Sequence, residues 1–232
     1  RDVERSRGLG DVYKRQGLMI ENAKENSQRV ELKDRIIETA SEAFTTHGIK
    51  SITMDDIAAS LGISKRTLYE VFQDKESLLT QCILKRQEEM NAFLAETLAN
   101  SKNVLEVILV CYQRSIETFH RTNKRFFEDI KKYPKVHSLL KNYRERDSDS
   151  TIEFFKMGIK QGIFRDDVNF AIVNLLVHEQ LDLLMNTDIC NKYSFLEVYE
   201  AIMFTYIRGI STEKGAKVLE DFITEYRKQR IH

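Results

Sequence analysis

Scarcity of backbone punctuation constrains this chain more than any other feature: one proline, Pro134, and nine glycines interrupt 232 residues. Proline removes a hydrogen-bond donor and clashes with the preceding helical turn, and an interior glycine costs about 1 kcal/mol relative to alanine. A chain that avoids both, and fills its length with Leu, Ala, Glu, Lys, Arg and Gln, is suited to long helices joined by short turns. The expected fold class is all-α. The length suits one large domain or two small ones, and either can bury a substantial core.

Several function classes are disfavoured. The most apolar window, "FAIVNLLVHEQLDLLM", is broken by Asn174, His178, Glu179, Gln180 and Asp182, so no membrane span is expected. Cys82, Cys111 and Cys190 are dispersed and odd in number, which fits a reducing cytoplasm better than a disulfide framework or a Cys-rich metal site. "HEQLD" places His178 and Asp182 on one face but lacks the second His of a zinc protease helix. There is no Gly-rich phosphate loop and no nucleophile elbow, and Cys111 beside Tyr112 fits a core better than catalysis. Neither enzymatic activity, a metal nor a cofactor is expected. Lys plus Arg and Asp plus Glu stand at 36 each, so a nucleic-acid footprint must be local.

The opening "RDVERSRGLGDVYKRQG" has no helical apolar period and no signal-peptide core. Its "DVYKRQ" resembles a translated sequencing-adaptor read. Residues 1–18 are therefore expected to be a non-native segment, with Met19 the natural start and 19–30 a disordered arm. A genuine basic arm is the alternative.

From Glu31, Leu32, Ile36, Ala40, Ala43 and Phe44 recur at three- and four-residue steps, while Asp34, Glu38 and Glu42 face away. This predicts an amphipathic helix ending near Gly48. "TMDD" then offers a capping box, with Thr53 and Asp56 exchanging side-chain and backbone bonds. A short helix carries Met54, Ile57, Ala58 and Leu61 on one side, and Gly62 allows a sharp turn. Ser64 is a candidate N-cap for a third helix, in which Leu68, Val71 and Phe72 share the anchoring side.

Two short helices around a Gly-containing turn form a helix-turn-helix, whose second helix can enter a major groove about 12 Å wide. Lys65, Arg66, Thr67, Tyr69 and Glu70 are left for DNA. Arg66 can offer two donors to guanine, Glu70 can accept from cytosine N4, and Tyr69 and Thr67 can bond phosphates. The competing reading is an Arg66–Glu70 surface pair worth a few tenths of a kcal/mol, roughly. Asp74, Lys75 and Glu76 restart a helix whose free amides and Lys75 can clamp another phosphate.

In register, Thr53, Ile57 and Ala58; Gly62, Ile63 and Ser64; Leu68, Tyr69 and Phe72; and Lys75, Glu76 and Leu78 make "TMDDIAASLGISKRTLYEVFQDKESLL" resemble the TetR family of bacterial regulators. The resemblance implies a three-helix DNA-binding domain over 31–80, with residues 53–72 reading DNA and Tyr69 and Lys75 gripping phosphates. It places Thr53, Ser64, Lys65, Arg66, Thr67, Tyr69, Glu70 and Lys75 at the interface with a double-stranded operator. Arg66 stands where a small residue is frequent, and Val71 where His or Tyr is frequent, which bears on the operator sequence.

Residues 81–232 are expected to form a helical effector-binding and dimerisation domain. A long helix should continue through "TQCILKRQEEMNAFLAETLAN", with further helices over "VLEVILVCYQRSIETFH", over "NKRFFEDIKKY" up to Pro134, and as one unit to Gly162. "FAIVNLLVHEQLDLLM" and "FLEVYEAIMFTYIRG" carry apolar residues on more than one stripe, which predicts a second apolar partner. A homodimer is the economical choice, with Ile172, Leu175, Leu176, Leu183, Leu196, Tyr199, Met203 and Tyr206 as interface candidates; the resemblance implies a four-helix interface there.

The resemblance also implies a pocket for a small hydrophobic effector. Candidates are Tyr112, Gln113, Phe119, His120, Phe127, Asn142, Tyr143, Phe155 and His178. The expected function is a dimeric transcriptional repressor, cytoplasmic and nucleoid-associated, released from a palindromic operator by that effector. A constitutive DNA-organising or division-control protein with the same head is the alternative, and an enzyme is a distant third.

Overall fold

The computed structural model describes residues 2–146, 148–186 and 189–230. Among them no strand occurs, and a single antiparallel bridge pairs Phe164 with Ser211. The chain divides into two compact units, residues 1–83 and 84–232.

The first unit opens with α1, Asp2–His47. Ile36, Ile37, Ala40 and Phe44 are buried along one side of it. The helix ends where Gly48, at φ 87°, donates its amide to the Phe44 carbonyl at 3.0 Å. The expectation of a disordered arm over 19–30 is corrected: helix runs through it and upstream to Asp2. Residues 24–31 are all exposed, so there the extension rests on local helical hydrogen bonding and not on burial.

Helix α2 is Met54–Leu61, α3 is Lys65–Val71 and α4 is Lys75–Asn100. Thr53 and Asp56 form the expected capping box at the start of α2, and Gly62 closes it in the left-handed conformation at φ 66°. The Ser64 hydroxyl caps α3 by accepting the Thr67 amide at 3.0 Å. At the start of α4 the Asp74 carboxylate accepts the Ser77 amide at 2.7 Å. Leu68, Phe72, Leu78 and Leu79 join Ile36, Phe44 and Ile57 in the buried interior, and Cys82 donates weakly to the Ile37 carbonyl at 3.6 Å.

The second unit takes the remainder of α4 and adds α5 (Val104–Arg121), α6 (Lys124–Ile130), α7 (Pro134–Arg146), α8 (Ser148–Lys160), α9 (Phe170–Asn186), α10 (Ile189–Lys192), α11 (Phe195–Ile210) and α12 (Glu213–Arg230). Pro134 sits at the first position of α7, where its missing amide costs nothing. The single helix expected up to Gly162 is described as two, α7 and α8, with Asp147 outside the described residues. Gly162, at φ 68°, caps α8. The core gathers Leu105, Tyr112 and Ile116 of α5, Phe164 and Phe170, Phe204 and Ile207 of α11, and Leu219 and Ile223 of α12. A backbone clasp closes one end: Arg165 donates to Ile210 and Thr212 to Ile163, at 2.9 and 3.0 Å.

Candidate nucleic-acid interface and companion sites

α3 is held by its apolar side. Leu68 is fully buried and Phe72 nearly so, while Val71 is partly covered. The opposite flank is presented to solvent: the Arg66 side chain is 89% exposed, the Glu70 side chain 60%, and Tyr69 as a whole residue 46%. The sharp turn at Gly62 sets α3 directly after α2, which is the two-helix geometry the spacing predicted.

Apart from Lys75, which stands at the start of α4, the expected DNA-contacting residues fall into two groups. In the first, the polar atoms already serve the fold. The Thr53 hydroxyl donates to the Asp56 carboxylate at 2.6 Å and accepts the Asp56 amide at 3.1 Å. The Ser64 and Thr67 hydroxyls share a hydrogen bond at 2.8 Å while Ser64 caps α3. These three residues fix the attitude of the helices. In the second group, Lys65, Arg66, Tyr69 and Glu70 reach outward.

Charge pairs order that flank. Lys65 forms an ion pair with Asp55 in the first turn of α2, a partner the sequence reading missed. The hydrogen bond that the Lys65 ammonium donates to Asp55, then the Asp55 charge, hold that ammonium above its ordinary value. Arg66 Nε donates to Glu70 Oε1 at 2.9 Å, so the i,i+4 pair given as the competing reading is present. An exposed pair of this kind is worth about 0.5 kcal/mol, little enough for a bidentate guanine contact to replace. The Lys75 ammonium lies 5.7 Å from the centre of the Phe44 ring. Asp56 is held below the ordinary carboxylate range, first by the Thr53 hydroxyl, then by the Thr53 amide, with Lys75 adding a favourable charge.

The second unit contains a cavity of about 810 Å³ among α4, α5, α7, α8, α9 and α11. Of the pocket candidates, Tyr112, Phe155 and His178 line it. Gln113 does not; it turns to a separate groove of about 770 Å³ with Glu96, Glu106 and Asp221, because adjacent helical residues lie 100° apart. Phe119 stacks on Phe195 with centroids 3.4 Å apart and on Phe127 at 5.6 Å, and His120 meets the edge of Phe119 at 6.5 Å. Those three side chains thus fill an aromatic stack instead of lining the cavity. Asn142 is exposed, and the side chain of Tyr143 lies outside the described residues. Gln87 and Asn91 of α4, with Ser115, Ser150, Thr151 and Asn174, line the cavity without having been expected. The i,i+4 spacing of Gln87 and Asn91 beside Leu94 and Leu98 was the signal available.

The dimer candidates also separate. Ile172, Leu175 and Leu176 of α9 are 55%, 59% and 46% exposed, an apolar row without cover in the single chain. Leu196 is corrected to a core position, buried within the second unit. Tyr199, Met203 and Tyr206 are partly buried and line the cavity, where Tyr199 stacks on Tyr112 at 5.4 Å. Leu183 and Asp182 have side chains outside the described residues. Among the described residues no group of three His, Cys, Asp or Glu side chains is arranged to hold a metal, and no helix is long and apolar enough to cross a membrane.

Comparison with known proteins agrees with this geometry. Residues 36–82 match the family model described as bacterial regulatory proteins, tetR family. An HTH-type transcriptional regulator of Staphylococcus aureus is 37% identical over 78 residues, 34% of this chain and 37% of that relative. The chain thus spans little more than a third of that relative's length. The HTH-type transcriptional repressor KstR2 of Mycobacterium tuberculosis is 23% identical over 160 residues, 66% of this chain and 78% of that one. A Saccharomonospora viridis protein described as a transcriptional regulator in complex with choline has a similar fold, with TM-score 0.64 at 18% identity, covering 79% of this chain and all of that one. The structure described as the ketosteroid transcriptional regulator KstR2 has a TM-score of 0.52 at 18% identity, over 78% of this chain and 95% of that one.

Proposed function

Because residues 36–82 form a DNA-binding domain of the TetR family of bacterial regulatory proteins, we propose that the chain as a whole is a homodimeric transcriptional repressor that a small apolar effector releases from its operator. The observation that carries the DNA-binding part is the mounting of α3: Leu68 and Phe72 bury one side while Lys65, Arg66, Tyr69 and Glu70 project from the other. A helix so anchored can lie in the major groove with Arg66 and Glu70 against base edges and Tyr69 and Lys75 at the phosphates.

Two heads joined by one dimer match half-sites about 34–36 Å apart, or a multiple of that, on one face of a palindrome. The uncovered row Ile172, Leu175 and Leu176 supports such a dimer. An effector in the second unit that favours a different head spacing lowers operator affinity by its differential binding, typically about 1–3 kcal/mol. The cavity supports this inducible reading; a constitutive DNA-organising protein needs none. The relatives' names point to different effectors, a ketosteroid-linked regulator and a choline complex, so effector class has to be argued from this chain.

Selection of bound duplexes from a random pool tests the reading. The expected product is one palindromic consensus. Failure to retain any double-stranded DNA in dilute salt overturns it, since phosphate contacts alone give measurable non-specific binding there.

A further inference from the structure

We infer that the large cavity of the second unit takes an uncharged, elongated amphiphile, an apolar body ending in a neutral hydrogen-bonding head. This deepens the effector part of the proposed function and rests on it for its regulatory meaning. Size permits such a guest: about 810 Å³ lies within the range of about 300–1,000 Å³ common for small-molecule sites.

The lining has two distinct ends. α4 and α5 double back at residues 101–103, and the Arg114 guanidinium lies 4.0 Å from the Phe93 ring centre across the pair. Leu98 and Val107 therefore sit near the turn, and Gln87, Asn91 and Ser115 away from it. α8 follows the same axis. Its Gly158 packs so closely on Val104 and the Phe164 ring that no side chain fits between, which fixes the Gly158 end at the turn and puts Ser150 two turns away. α9 starts on the turn side too, with Phe170 stacked on Phe155 at 4.5 Å, and His178 lies about 12 Å further along it. α11 finishes there, where Ile210 accepts the Arg165 amide, leaving Tyr199 at the far end beside Ser115. The turn end of the cavity is thus mainly aliphatic and aromatic, with the Asn174 amide and the Tyr206 phenol along its wall, and the other end carries carboxamides, hydroxyls and an imidazole.

Among the described residues, that polar end offers no fixed counter-charge. Among the described lining residues there is no Lys, Arg, Asp or Glu. Burial also pushes up the Cys111 thiol and the Tyr112 and Tyr199 phenols, which keeps all three neutral. An ionised head of either sign would meet no Lys, Arg, Asp or Glu among those residues to pair with, whereas a hydroxyl, ketone or amide finds donors and acceptors in Gln87, Asn91 and Ser115.

Three probes sharing one alkyl tail separate the cases: decanol, decanoate and decyltrimethylammonium, titrated calorimetrically against the full chain below their micellar concentrations. Decanol should bind at least about tenfold more tightly than either charged probe. Saturating decanol should also slow alkylation of Cys111 by iodoacetamide about tenfold, read by mass spectrometry, because that thiol lines the cavity. Ile108→Trp, which fills the cavity, should abolish decanol binding; if that variant melts early, Cys111 protection in the unaltered chain still locates the probe. Equal or tighter binding of either charged probe, decanol binding without Cys111 protection, or no binding of decanol overturns the inference. Duplex binding measured on the same preparation without probe stands apart, so its failure sinks the regulator reading alone.

Discussion

Arg66 and Tyr69 lie three residues apart on α3, yet their chemistry assigns them different consequences. A guanidinium can bind both acceptors of one guanine, so Arg66→Ala should relax preference at one base position by about 1–3 kcal/mol. The pair with Glu70 that it gives up is exposed and contributes little. A phenol at a phosphate reads no sequence, so Tyr69→Ala should weaken all duplexes similarly. Selection with each variant checks both; an Arg66→Ala protein with unchanged affinity and preference would leave that residue as a surface pair only. Asp56 gives a pH prediction. Its carboxyl is held below the ordinary 3.8, chiefly by Thr53. A depressed acid contributes stability that is complete above the unfolded value and is lost as pH falls through the folded one. Thr53→Ala should raise the Asp56 value toward 3.8 in a carboxyl-carbon NMR titration and flatten the loss of stability on the acid side.

At the scale of elements, glycines with different surroundings separate two kinds of constraint. Gly158 lies inside α8, where alanine ordinarily gains about 1 kcal/mol. Here an added Cβ would run into the Phe164 ring and Val104, so Gly158→Ala should instead destabilise by about 1–3 kcal/mol in denaturant melts. Gly62 has nothing within 4 Å of an added Cβ, but its φ of 66° disfavours any side chain, so Gly62→Ala should cost about 1–2 kcal/mol through the backbone. The turn at Gly62, the Thr53–Asp56 box and the Ser64 cap were legible in the sequence because each is settled within four or five residues. The cavity was less legible. Tyr112 and Gln113 are neighbours in the chain and face different spaces, and Phe119 and Phe127 stack on each other, since aromatic character signals burial without saying against which helix. The helix over residues 24–31 was missed because every side chain there is exposed, leaving no buried stripe for periodicity to reveal.

For the whole molecule, the proposed function needs two heads, and α9 offers the surface to join them. The two-stripe pattern of "FAIVNLLVHEQLDLLM" resolves into Val173 and Val177 toward the cavity and Ile172, Leu175 and Leu176 toward solvent. Leu196, buried, shows where the same pattern overreached on α11: its second stripe is taken up largely within the unit. Placing a carboxylate in the solvent-facing row leaves the core untouched but makes burial of that row against its symmetry mate expensive, because each copy would meet the other's charge. Leu175→Glu combined with Leu176→Glu should therefore give a folded monomer by sedimentation, with unaltered helical circular dichroism. Its affinity for the selected palindrome should fall to that for a single half-site, since linkage of two heads through one dimer is what raises effective concentration at the second half-site. A variant that still sediments as a dimer would move the interface off α9. A monomer that keeps full affinity for the palindrome would mean that one head suffices, and the dimeric part of the proposal would fall.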